Sequence, residues 1–370
     1  MAKYRVLCWL LATIAGAPVH GAESGTDLAA PLVRVGLALD GSAPSPAPPA
    51  AAAPDQAKPC ERVSFTRKLR YGESEVNVLD VATDGADTRQ TSPRPVLLFV
   101  AGESFSSENG APDAAAPAQD AAMCFAARNG MVGVKVSYRL APANPWPTGA
   151  RDVAAATSWV HENIDLFGGS RDEIVAVGYA AGAFHVASLL AHPEFQESDS
   201  GIAAAVLVSG IYRASADDNP AEKSYFGADA SQYDARSAFP GILNVETPLL
   251  LAWSAQDPPH LVAAGETLKE RLCHSAAHCP HVAVLSDNHG LSSVFGPDAS
   301  GGLAEPTLEL VREIEARACR EATTRVLATQ FIEVIGISKD VCRILRGLFT
   351  ARAAVNGFRS QPLQTAAGSR

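Results

Sequence analysis

Positive charge is in short supply in this chain. Lys and Arg number 30 against 40 Asp and Glu, a formal net charge of −10. That balance argues against a nucleic-acid partner and against docking on an anionic membrane surface. Metal-ligand spacing is missing as well. Cys279 stands among His274, His278 and His281, but the intervals are those of a polar loop rather than a zinc site. No metal and no cofactor is expected. The apolar stretch Val6–Ala17 is too short to span a bilayer. Behind Lys3 and Arg5, and ahead of Gly21, it reads as a secretory leader cleaved to leave Ala22, with a buried N-terminal strand as the alternative. Cys8 comes too early to be a lipidation site. Secretion or a periplasmic location is therefore expected.

What the chain does have is core-forming material. Its 370 residues are 47% hydrophobic, enough for one large domain with tails. Residues 1–21 are the leader and 22–61 a low-complexity segment whose stretch 42–58 is a Pro/Ala linker. Residues 62–317 are the folded domain, and 318–370 a helical extension with a loose end. The apolar positions in 321–350 pack on the body, with a membrane or a partner as the alternative. Of seven cysteines, Cys8 falls in the leader. Cys60, Cys124, Cys273, Cys279, Cys319 and Cys342 remain for disulfides in an exported chain. Among the many pairings open to them, Cys273–Cys279 is favoured by proximity. Cys319–Cys342 would tie a tail helix to its neighbour.

Apolar runs predict strands at 63–71, 75–83, 96–100, 131–138, 174–177, 202–209, 247–253 and 281–286. The first two read as edge strands. Helical patterns fall at 121–129, 151–164, 183–190, 260–273 and 307–319, the second with Val153, Trp159, Val160 and Ile164 on its packing side. Residues 211–245, with Tyr225, Phe226 and Phe239, read as an irregular insertion over a pocket. Strands alternating with helices give an α/β fold with a mostly parallel central sheet and helices on both faces.

One stretch organises the rest. Ile174–Val177 is a buried strand, Gly178 and Gly182 bracket a tight turn, and Ala183–Leu190 continues as a helix. Strand, turn and helix in this order form the nucleophile elbow, G-x-S-x-G. Here the pentapeptide is G-Y-A-A-G, and Ala180 occupies the serine position. A methyl group cannot attack a carbonyl.

Four pieces in order resemble the α/β-hydrolase fold, and more narrowly its carboxylesterase and hormone-sensitive-lipase-like group, over residues 62–317. They are V-L-L-F-V-A-G-E-S-F at 96–105, S-Y-R-L-A-P at 137–142 with Trp146, Pro147 and Asp152, the elbow at 178–182, and Asp257 followed by His289 in D-N-H-G. The resemblance implies a triad in which His289 is the base and Asp257 holds its imidazole, with Ala180 as the degenerate nucleophile position. Gly102, Glu103 and Ala181 are implied as the oxyanion groups. Asp257 as a turn residue before Pro258 and His289 as a loop histidine are the plainer alternatives. His185 reads as structural, and Asp152 as a partner of the Tyr138–Arg139 region. Ala101, Glu103 and Ser104 stand where the family carries His and Gly. A carboxylate at Glu103 facing the site would oppose an oxyanion.

Two losses at separate motifs point to a silenced esterase that binds an ester-like small molecule or a protein partner. Two alternatives stay open. One is an active carboxylic ester hydrolase that uses water activated by His289, or Ser104 as a displaced nucleophile. The other is a non-enzymatic secreted module acting through its linker and tail.

Overall fold

The computed structural model describes residues 60–85, 92–102, 104–107, 116–195, 200–215, 219–275, 279–285, 295 and 302–330. Leader, linker and the tail beyond residue 330 lie outside them. So do Glu103 and His289.

Eight strands form one sheet: β1 (Val63–Arg70), β2 (Val78–Asp84), β3 (Arg94–Val100), β4 (Val132–Val136), β5 (Gly169–Tyr179), β6 (Ile202–Val208), β7 (Leu249–Ser254) and β8 (His281–Leu285). Their order is β1-β2-β4-β3-β5-β6-β7-β8. The β1–β2 and β2–β4 pairs are antiparallel, and every pair from β4 to β8 is parallel. β2 is hydrogen-bonded on both sides, so only β1 of the two predicted edge strands is an edge.

Seven helices accompany the strands among the described residues: α1 (Ala116–Arg128), α2 (Thr148–Asn163), α3 (Ala181–Ala191), α4 (Pro220–Phe226), α5 (Tyr233–Arg236), α6 (Pro259–Ser275) and α7 (Ala304–Gln330). They cover both faces, and β3 shows why its run of apolar residues needs two cores. Side chains alternate across a strand. Val96, Leu98 and Val100 pack with Val153 and Val160 of α2 and Val186 of α3. Leu97 and Phe99 face the other way, onto Phe125 of α1 and Leu310, Val311 and Ile314 of α7.

α7 is longer than its sequence suggested. In place of a helix at 307–319 and a separate tail, one helix runs from Ala304 through residue 318 to Gln330. Nothing between Arg317 and Gln330 is glycine or proline, so no residue breaks it. The insertion at 211–245 is likewise less irregular than expected, since α4 and α5 lie within it.

The expected Cys273–Cys279 disulfide is present, and a second joins Cys60 to Cys124 across 64 residues. Cys319 is also disulfide-bonded, and the expected partner Cys342 lies outside the described residues. The Cys60–Cys124 bridge ties the start of β1 to α1, where ion pairs already converge. Arg67 contacts Asp80 at 2.9 Å and Asp120 at 2.7 Å, and Lys135 reaches both carboxylates at 3.3 Å. Among the described residues no helix is long and apolar enough to cross a membrane. No group of three or more His, Cys, Asp or Glu among them is placed to hold a metal.

Candidate active site

Ala180 sits between β5 and α3 with φ 50° and ψ −116°. A side chain in that region is strained by roughly 1–3 kcal/mol and persists only where its surroundings fix it. Here they do. The Ala180 N–H donates to the Val208 carbonyl at 2.9 Å, and the Ala180 carbonyl accepts from Ala183 N–H at 3.0 Å. Gly182 lets α3 press against β3, because a Cβ there would stand 2.0 Å from the Val100 carbonyl oxygen. Ala180 is half-buried, while residues 181–190 of α3 are buried throughout. The backbone is that of a nucleophile elbow, and its tip carries a methyl group.

Residues 180, 209 and 257 follow β5, β6 and β7, which are parallel neighbours, so they share the carboxyl end of the sheet. Crevices at that end are where open α/β sheets bind ligands. Asp257 is held firmly. Its Oδ2 accepts the Ser209 hydroxyl at 2.6 Å and the Ser254 N–H at 2.9 Å. No described residue bonds Oδ1. Ser209, itself at φ 49°, was not singled out in the sequence. A serine ending a strand carries no local signal that it will meet a carboxylate 48 residues away.

The implied oxyanion groups behave differently from their family roles. The Ala181 N–H donates to the Gly102 carbonyl at 2.9 Å. Committed to that bond, the amide is offered to no ligand oxygen until the Gly102 carbonyl moves away. The Ser104 hydroxyl accepts from the Ser106 N–H at 3.2 Å, which caps the turn behind the loop. Farther on, Phe105 and Ser107 pair with Ala141 through Ala141 N–H to Phe105 carbonyl and Ser107 N–H to Ala141 carbonyl bonds, each 3.0 Å. The loop therefore lies against the S-Y-R-L-A-P segment.

Arg139 of that segment is clamped by buried Asp152. The carboxylate accepts the Arg139 backbone N–H and Nε at 2.9 Å each and a terminal guanidinium N–H at 2.6 Å. The same hydrogen-bonded pairing raises the Arg139 pKa. Asp152 is thus a partner of this segment, as its sequence context indicated.

Aromatic side chains fill the space beside the elbow. Phe105 stacks on Tyr225 at 5.1 Å and meets Phe184 and Phe226 at 5.5 and 5.3 Å, in one cluster that includes Ala181. His185, read as structural, is buried among these rings, with its Nδ1 bonded to no described residue. Burial drives its pKa down to about 3, against a smaller opposing pull from Asp152, so the ring is neutral.

The sequence model of the carboxylesterase family matches residues 67–237. Esterase LipC of Mycobacterium tuberculosis is 31% identical over 185 residues, covering 48% of this chain and 43% of that protein. LipM of the same organism, a probable carboxylic ester hydrolase, is 33% identical over 153 residues, or 39% of this chain and 34% of its own. This chain spans half or less of the length of such relatives. Among solved structures, esterase B of Lactobacillus rhamnosis superposes with a TM-score of 0.57 at 16% identity, over 73% of this chain and 90% of that one. A bacterial heroin esterase gives 0.51 at 20% identity, over 69% and 84%. At such identities the likeness is one of fold.

Proposed function

We propose, from the premise that this chain belongs to the α/β-hydrolase superfamily and is carboxylesterase-like in sequence, that it is a silenced esterase which binds an ester-like small molecule at the elbow without turning it over. The observation that carries the reading is Ala180. It keeps the strained φ 50°, ψ −116° geometry of the elbow and has no oxygen to become the nucleophile. The Ala181–Gly102 bond supports it, because the Ala181 amide, one of the groups implied for the oxyanion, is already occupied within the protein. In this reading Asp257 keeps Oδ1 for the imidazole of His289, which follows the end of β8 by four residues. Gly102 and Ala181 lie at the ligand end of the site in this reading, with Glu103 assigned to it from the sequence alone. A protein partner in place of the small molecule, and export of the chain, belong to the same proposal.

The test is hydrolysis of short-chain aryl esters by the natural protein and by Ala180→Ser. Loss of a nucleophile costs on the order of 10⁶ in kcat. A missing oxyanion donor holds back about 10²–10³ of that. Ala180→Ser is therefore expected to raise turnover by roughly 10³-fold over a natural protein near background. Hydrolysis by the natural protein well above background and abolished by His289→Ala would overturn the proposal in favour of a water-activating enzyme. Loss of that hydrolysis in Ser104→Ala would instead identify a displaced nucleophile.

A further inference from the structure

Tyr138 lies behind the elbow with its ring and hydroxyl buried, yet its Oη bonds to no described residue. A buried hydroxyl without a partner is destabilising and uncommon, and so calls for an explanation. Its position supplies one. A Cβ built on Gly102 would stand 2.3 Å from Tyr138 Oη, 2.6 Å from Gly182 N and 3.1 Å from Ala181 Cβ. Only a glycine at 102 lets the hydroxyl come this close to the turn. The phenol is thus beside the peptide whose carbonyl occupies the Ala181 amide. It is fixed there from both sides. Asp152 clamps the adjacent Arg139, and the His185 ring meets the Tyr138 ring edge-on at 4.6 Å. Burial raises the phenol's pKa, so it remains a donor across the ordinary pH range.

We infer that the Tyr138 hydroxyl is a ligand-binding donor, which joins the Ala181 amide in holding the carbonyl oxygen of a bound ester, ketone or amide once the Gly102 carbonyl is displaced. In the unliganded protein the Gly102 carbonyl stands in for that oxygen on the Ala181 side and leaves the phenol unmatched. A ligand carbonyl entering between them satisfies both donors. This deepens the proposed binding function and rests on it.

The assay compares the natural protein with Tyr138→Phe, titrated with 1-phenyl-2-pentanone, the unreactive methylene isostere of phenyl butyrate, and with pentylbenzene, which has no carbonyl. Loss of one neutral hydrogen bond is expected to weaken ketone binding roughly three- to tenfold. Pentylbenzene binding should not change, and the melting temperature of Tyr138→Phe should hold or rise. Equal ketone affinity in the two proteins, or equal losses for both ligands, overturns the assignment. So does a lower melting temperature, which would mean that the hydroxyl is bonded within the protein. If neither ligand binds the natural protein, the binding function of the preceding section falls. The hydroxyl is then judged by kcat/KM for phenyl butyrate in Ala180→Ser against Ala180→Ser/Tyr138→Phe, where a drop supports it and equality overturns it.

Discussion

Replacing Ala180 by glycine should make this protein more stable, although glycine substitutions usually do the reverse. The φ of 50° with ψ −116° is a conformation that an alanine adopts only under strain. Taking that strain at about 2 kcal/mol, glycine relieves most of it. Against this, glycine enlarges the unfolded ensemble by about 0.4–1 kcal/mol. Removing a half-buried methyl costs about 0.4 kcal/mol more. The balance is a gain of about 1 kcal/mol, which raises the melting temperature of a domain this size by about 2–4 °C. Thermal unfolding followed by circular dichroism reads it, with Ala180→Ser as the control that keeps the strain and should not gain. Destabilisation by glycine together with a neutral serine variant would refute the reasoning, because the turn would then be relaxed as it stands.

Other perturbations follow from the same geometry. Replacing Cys60 and Cys124 together by alanine opens a loop of 64 residues. In the chain-entropy account this costs about 4 kcal/mol, visible as a lower urea midpoint, against about 2 kcal/mol for the Cys273–Cys279 pair, whose loop is short. His185 has its pKa depressed to about 3, from 6.5 in the unfolded chain. The unfolded state therefore binds the extra proton first as pH falls. Stability is fully present above pH 6.5 and declines below it, by up to about 1.4 kcal/mol per pH unit. A urea midpoint that does not fall between pH 6.5 and 5, or falls as steeply in His185→Gln, would contradict this. Asp257→Ala strips an acceptor from Ser209 and from the Ser254 amide. It should lower stability by about 1–3 kcal/mol in denaturant titration and, in the Ala180→Ser background, remove the restored esterase activity.

Much of this was readable from residue patterns because the relevant forces act locally. V-L-L-F-V at 96–100 is apolar at every position, since a central parallel strand is buried on both faces. Its placement in β3 followed directly. The elbow was legible for a similar reason: Gly178 and Gly182 flank the turn between β5 and α3, where a Cβ at either would meet backbone. Contacts between distant segments were not legible. Nothing in the spacing of Cys60 and Cys124 marks them as partners, because their approach depends on where β1 lies over α1. Ser209 was invisible for the same reason. The Ala181–Gly102 bond depends on a carbonyl orientation that no residue identity encodes. The candidate base, His289, was named from its motif alone and lies outside the described residues, as does Glu103.

The Cys60–Cys124 bridge has one more effect. Gly102, whose carbonyl meets the elbow, falls in sequence within the covalent ring that it closes, so this stretch is part of a closed circuit rather than an open strand of chain. Replacing both cysteines would open the circuit at the Cys60–Cys124 bond. Opening that ring is expected to loosen the hold on the Gly102 carbonyl. Carbonyl-ligand affinity of Cys60→Ala/Cys124→Ala against the natural protein would read that effect apart from the other disulfides.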